Sequence, residues 1–305
     1  MSDEIEFQGP VWSHLVAETQ FATDLVLTGL QRLCTVPTDA DVMLWPSKDL
    51  NYSLHVGLHA YSSGLERLCK LAIACNRYVA DGKFPALKKF SHNIGGLLDA
   101  VEALTPEGPR VANGGGKYLT RPTDTLDPDL TAMVEKFANG AGRYEHLDSL
   151  WNEKAKVTTY DDWCAVAAAA TVTTEVHDLI ALKKAMADAM RSELSEAGLE
   201  STSQPMIEAM ERPVFEPSVA VALSLYRKAR WVAAILDVAT YYTEKGLPLL
   251  HEVFNPILGH SSTNFFMFDI AQISDKNVVE EELEEVYPRI LQREAEWDEE
   301  LAAEE

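Results

Sequence analysis

Cysteine is scarce in this sequence: four in 305 residues, Cys34, Cys69, Cys75 and Cys164, with no C-x-x-C spacing among them. That argues against a disulfide framework and against a thiolate-rich zinc or redox motif. No apolar run approaches the ~20 residues that a membrane-spanning helix needs. The polar opening MSDEIEFQGP contains no apolar signal region. The expectation is therefore a cytoplasmic chain whose cysteines are reduced and mostly packed, with no membrane contact. Hydrophobicity nowhere alternates with period two for long, so strands are not expected. Positive charge is also short: 26 Lys and Arg stand against 48 Asp and Glu, a formal net of −22. From Glu280 onward twelve acids face only Arg289 and Arg293, a net of −10, which leaves −12 for residues 1–279. A chain this acidic repels phosphate backbones, and direct nucleic-acid binding is not expected without a local basic patch.

What is present is helical periodicity, clearest from Tyr52 to Leu104. Leu54, Leu58, Tyr61, Leu65, Leu68, Ala72, Asn76 and Val79 recur at steps of three and four and define one face that must be buried. His55, His59, Ser62, Glu66 and Lys70 form a polar stripe at the same spacing. Gly82 and Pro85 end this helix. Ser91 is a candidate cap for the next, whose Ile94, Leu97, Leu98 and Val101 can fold back on the first. The pair reads as a helical hairpin.

Gly64, Glu66 and Lys70 in GLERLCK, Gly82 and Pro85 in DGKFP, and His92, Ile94, Leu97 and Leu98 in SHNIGGLL together resemble the central hairpin of the HEPN superfamily. The motif covers roughly a sixth of the chain. The resemblance implies an all-α, HEPN-like helical bundle with additional C-terminal helices, and a homodimer with the polar stripe of His55, His59, Glu66 and Lys70 along the groove between protomers. Many members of that superfamily are ribonucleases carrying an Arg followed by a His after four to six residues. No arginine here has a histidine at that distance.

The remaining chain also reads as helices and loops. Helices are expected at Val11–Leu33, Asp129–Asn139, Arg143–Trp151, Tyr160–Leu194, the last as one long spine, and Val219–Lys245. An acidic amphipathic helix is expected from Asn277 to Leu301. The segment TVPTDADVMLWPSKD reads as a loop whose Met43, Leu44 and Trp45 are tucked into a groove. The proline- and glycine-rich stretch around NGGGKY reads as a surface loop, because Val111 and Tyr118 stand where a Walker motif needs Gly and Ser or Thr. Residues 198–218, with three prolines, mark a boundary between a bundle at 1–197 and a C-terminal region at 219–305.

Few residues suggest chemistry. Arg143 and His146, in R-Y-E-H, come nearest to a phosphate-cleaving pair, with His92 as a third candidate; the alternative is a charged helix face with Tyr144 partly buried. His55 and His59, one turn apart in HVGLH, could chelate a divalent ion with His92, but the glutamate of H-E-x-x-H is missing and no metal site or cofactor is assigned. Glu66 and Lys70 are an i,i+4 ion pair by default. Glu175, His177 and Asp178 read as solvated or interhelical. Arg227, Lys228 and Arg230, interleaved with Tyr226 and Trp231, are expected to pair with the acidic C-terminal helix.

Three functions fit. The first is a non-catalytic, dimeric binding protein acting through a protein partner, in a toxin-antitoxin or phage-defence setting as the resemblance implies. The second is a metal-independent endoribonuclease with atypical catalytic residues. The third is an acidic mimic of nucleic acid from a mobile element.

Overall fold

A computed structural model describes residues 5–38, 48–104, 118–152, 158–196 and 212–241, together with 247, 248, 250 and 257. All regular elements among them are helical, so the protein is an all-α bundle as expected. In chain order they are α1 (Pro10–Cys34), α2 (Lys48–Asp81), a 3₁₀ turn (Leu87–Phe90), α3 (Ile94–Glu102), α4 (Asp127–Ala138), α5 (Ala141–Trp151), α6 (Thr159–Ala169), α7 (Thr174–Glu196) and α8 (Glu216–Thr240). No helix among the described residues is long and apolar enough to cross a membrane.

The apolar stripe of α2 is buried as its spacing requires: Leu54, Leu58, Tyr61, Leu65, Leu68 and Ala72 all lie inside. Each leucine so removed from water contributes about 1.5–3 kcal/mol. Ala22, Val26, Leu30 and Leu33 of α1 face them, and the two helices cross closely where Gly29 lies against Tyr61 and Gly64 against Val26. Gly82 closes α2 at φ 70°, donating its amide to the Tyr78 carbonyl at 2.7 Å, the left-handed conformation glycine accepts freely. Ile94, Leu97, Leu98 and Val101 of α3 join the same core.

Several boundaries differ from the expectation. The start of α2 at Lys48 lies inside the segment read as a loop. Asn93, not Ser91, caps α3, its side chain accepting the Gly96 amide at 2.6 Å, while Ser91 closes the 3₁₀ turn. The spine expected over Tyr160–Leu194 is two helices. Ala170 is extended at ψ 139°, and the following run Thr171-Val172-Thr173-Thr174 is β-branched, a composition that loses side-chain freedom in a helix. The groove residues Met43, Leu44 and Trp45, the NGGGK stretch, most of the 198–218 boundary and the acidic helix 277–301 lie outside the described residues, as do the side chains of Glu175 and Asp178.

At the centre stands α8, with 20 of its 25 residues buried. Tyr61 donates its hydroxyl to the Leu225 carbonyl at 2.6 Å. The Ser218 hydroxyl donates to the Val36 carbonyl at 2.5 Å and accepts the indole N–H of Trp163 at 3.2 Å. These bonds fasten α8 to α2, to the end of α1 and to α6, so the described part of the C-terminal region shares one core with the first half. The basic cluster on α8 is accordingly not a surface patch. Lys228 is 3% exposed and bonds to Asp127 at 2.5 Å and to the Thr131 hydroxyl at 2.8 Å, both on α4, while the acidic C-terminal segment expected to pair with the cluster lies outside the described residues. The Arg230 guanidinium lies over the Tyr118 ring at 3.8 Å. Three buried cysteines are packed as expected, and Cys164 is half-buried.

Candidate functional site

Glu66 and Lys70, at one end of the polar stripe of α2, line a cleft of about 460 Å³. Glu66 sits at its floor, accepting from Lys70 Nζ at 2.6 Å and pairing with His92 Nδ1 at 3.0 Å. Lys70 also donates to the Ser91 carbonyl at 3.0 Å, which ties the stripe to the turn before α3. Burial alone would raise the Glu66 pKa, but the hydrogen bonds and positive charge of Lys70 and His92 hold its carboxyl below the usual carboxylate range. On the α1 side Arg67 donates to Glu18 and spreads over the Phe21 ring at 4.6 Å, covering an aromatic side chain otherwise turned to solvent. Arg143, from α5, reaches the same cleft. Three basic side chains and one imidazole therefore stand against two carboxylates, a locally cationic spot on a strongly acidic chain.

The other end of the stripe meets α5. Gly140, at φ 89°, turns the chain out of α4, and α5 then docks by Gly142 and Glu145, its only buried residues. Arg143 donates from Nε to the Phe137 carbonyl at 2.8 Å and from Nη2 to the Ala138 carbonyl at 2.6 Å. It thus satisfies carbonyls at the C-terminal end of α4, where a cation is favoured. The Glu145 carboxylate is 4% exposed. One oxygen meets His55 Nε2 at 2.8 Å; the other accepts from Lys136 Nζ at 3.4 Å and the Thr158 amide at 3.3 Å. Burial would raise its pKa, but bonds from Thr159, His55 and Thr158 and the charge of Lys136 hold the carboxyl below the usual range. Lys136 bonds in turn to the Thr158 and Thr159 hydroxyls and to Asp162. The His55 ring lies 4.8 Å from that of His146. His59, one turn on, is exposed at its edge, and partial burial together with the charge of Arg143 lowers its pKa.

No family model, curated protein or solved structure matches the chain.

The proposed catalytic trio is thus divided. Arg143 and His92 line one cleft, whereas His146, a turn further along α5, lies beside His55 and is not part of that lining. Of the groove residues, Glu66 and Lys70 line the cleft, and His55 belongs to the Glu145 cluster. His92 pairs with Glu66, and no contact brings it to His55 or His59 among the described residues. His177 makes the interhelical contact open to it, with Glu216 Oε1 at 3.0 Å. Glu18 and Arg67 lie off the polar stripe and Glu145 stands inside the R-Y-E-H string, so helical spacing alone does not single them out. One signal for Glu145 is present in the sequence: Gly142 and Glu145, three residues apart, share the side of α5 that docks closely.

The exposed side of α5 is the reverse of what its periodicity asks for. Tyr144, Leu147, Leu150 and Trp151 recur at steps of three and four, the spacing of a core-facing stripe, yet they are 55%, 52%, 77% and 72% exposed. Tyr144 is therefore not the partly buried residue that the sequence suggested.

Proposed function

We propose that this protein is a non-catalytic, cytoplasmic binding protein that self-associates and acts through protein contacts, in keeping with its HEPN-like hairpin. The observation that carries this reading is the outward apolar stripe of α5, four large side chains at one helical spacing with more than half of each in water. A contiguous apolar face of this kind marks an association surface. A second copy of the chain is the occupant proposed, with Tyr144 and Trp151 as anchors of the type that dominate interfaces. The neighbouring polar residues agree with a binding role: Arg143 holds carbonyls of α4, and His92 is fixed to Glu66. A setting such as toxin-antitoxin pairing or phage defence would follow from the hairpin's resemblance. Light scattering on the eluting protein tests the reading. The wild type should run as a dimer, and Leu147→Glu combined with Trp151→Glu as a monomer with an unchanged circular-dichroism spectrum. A monomeric wild type, or a dimer that survives both charges, would sink it.

A second reading, endoribonuclease activity, is favoured by one observation: Arg143 and His92 line the same cleft. An arginine and a histidine in one cleft could stabilise phosphorane charge and move a proton. Labelled RNA incubated with the protein in chelator should then be cut, and His92→Gln should abolish the cutting while leaving the fold intact. No cutting by the wild type would remove this reading.

A further inference from the structure

The structure assigns a divalent transition-metal site to His55, Glu145 and His146, one that stands apart from any self-association through α5. The three side chains offer one donor atom each, all within 4.8 Å of one another. Two imidazole nitrogens and a carboxylate oxygen, with a further position open for water, suit Zn²⁺ or an ion of similar preference. In a tetrahedral zinc site with metal-ligand distances near 2.1 Å, donors stand about 3.4 Å apart. The 2.8 Å between His55 Nε2 and Glu145 Oε1 lies near that spacing. His146 must close the rest, and as an exposed side chain it can turn to do so.

The surroundings are those of a prepared site. Metal affinity depends on outer groups that orient the ligands. Here Lys136 and the Thr158 amide hold one oxygen of Glu145, so the other is presented to His55. Phe137 stands edge-on to His55 with ring centres 5.6 Å apart, an apolar wall that limits the imidazole's movement. Among the described residues no side chain hydrogen-bonds to the His146 ring, whose neighbour is His55. In the ion pairs that hold Glu145, the carboxylates of Glu145 and Asp162 stand against Lys136, a balance that does not repel a dication. Arg143, two residues before Glu145, directs its guanidinium to the α4 carbonyls instead. Bound metal would reinforce the junction of α2 with α5, where His55 already meets Glu145 at 2.8 Å and packs beside the His146 ring.

The test uses the full chain, stripped with chelator and titrated with Zn²⁺ by calorimetry and with Co²⁺ by visible absorption. One equivalent should bind, with the strong visible bands of four-coordinate cobalt. His146→Ala removes an exposed ligand and should weaken Zn²⁺ binding at least tenfold without changing the circular-dichroism spectrum. His55→Gln should do the same, whereas His14→Ala, an exposed histidine on α1, should bind as the wild type does. Failure of the wild type to take up a stoichiometric ion would overturn the assignment. So would uptake that persists undiminished in His146→Ala, or uptake that His14→Ala lowers equally.

Discussion

A methyl carbon on Gly64 would lie 2.7 Å from the Val26 amide nitrogen and 2.8 Å from the Ala22 carbonyl oxygen. Those neighbours are helix backbone and cannot rotate away. Gly64→Ala must therefore push α1 and α2 apart, although alanine is the better helix former. A loss of about 1–3 kcal/mol or more is expected, read as a lower midpoint in urea unfolding. A midpoint equal to or above wild type would show that the crossing is looser than described.

The buried Lys228 forms an ion pair with the half-buried Asp127 between α8 and α4. Removing Lys228 leaves the Asp127 carboxylate without its hydrogen-bonded partner but partly open to water, so Lys228→Met should cost about 1–3 kcal/mol. Adding Asp127→Asn should recover much of that loss, because the orphaned carboxylate is then gone. Chemical denaturation of the two single variants and the double variant checks this, and strictly additive effects would count against the pairing.

Glu66 links stability to pH. Its folded-state pKa is lowered from the ordinary 4.5. The stabilisation it gives is therefore present above the unfolded value and is lost as pH falls through the lower folded value. Wild type should be more stable than Glu66→Gln at pH 6, and the gap should narrow below pH 4.5. Thermal melts across that range measure it; a gap constant with pH would mean that Lys70 and His92 do not hold the carboxylate.

The thiols should differ in reactivity. Burial pushes Cys69 and Cys75 up to about 12, and Cys34 is also inside the core. Cys164 is half-buried, its thiol raised chiefly by burial. Because the thiolate is the reacting form, a thiol reagent at pH 8 should titrate at most one cysteine in the native protein and four in denaturant. Rapid reaction of two or more native thiols would contradict the packing of α2.

Helical class and the α2–α3 hairpin were legible because Leu54 to Ala72 and Ile94 to Val101 follow a strict period whose only stable outcome is burial. The break at Ala170 was harder to see, since alanines on one side argue for a helix and only the β-branched run on the other argues against it. The centrality of α8 was obscured by Arg227, Lys228 and Arg230, which read as a surface although the helix around them is apolar on every side. For the site, local spacing showed Glu66 with Lys70 but not His92 with Glu66, a pairing that needs the turn before α3. Periodicity alone also points the apolar stripe of α5 inward. Which face docks is set by the close approach of Gly142 to Phe137, a fact of three dimensions.

The placement of α8 bears on how the molecule is made. A ribosome releases α1 and α2 more than a hundred residues before the helix that covers them. At about 5–20 residues per second, that interval is on the order of ten seconds. Throughout it the faces of α1 and α2 that α8 later covers lack their inner companion, the kind of transiently exposed apolar surface that makes a nascent chain prone to aggregate.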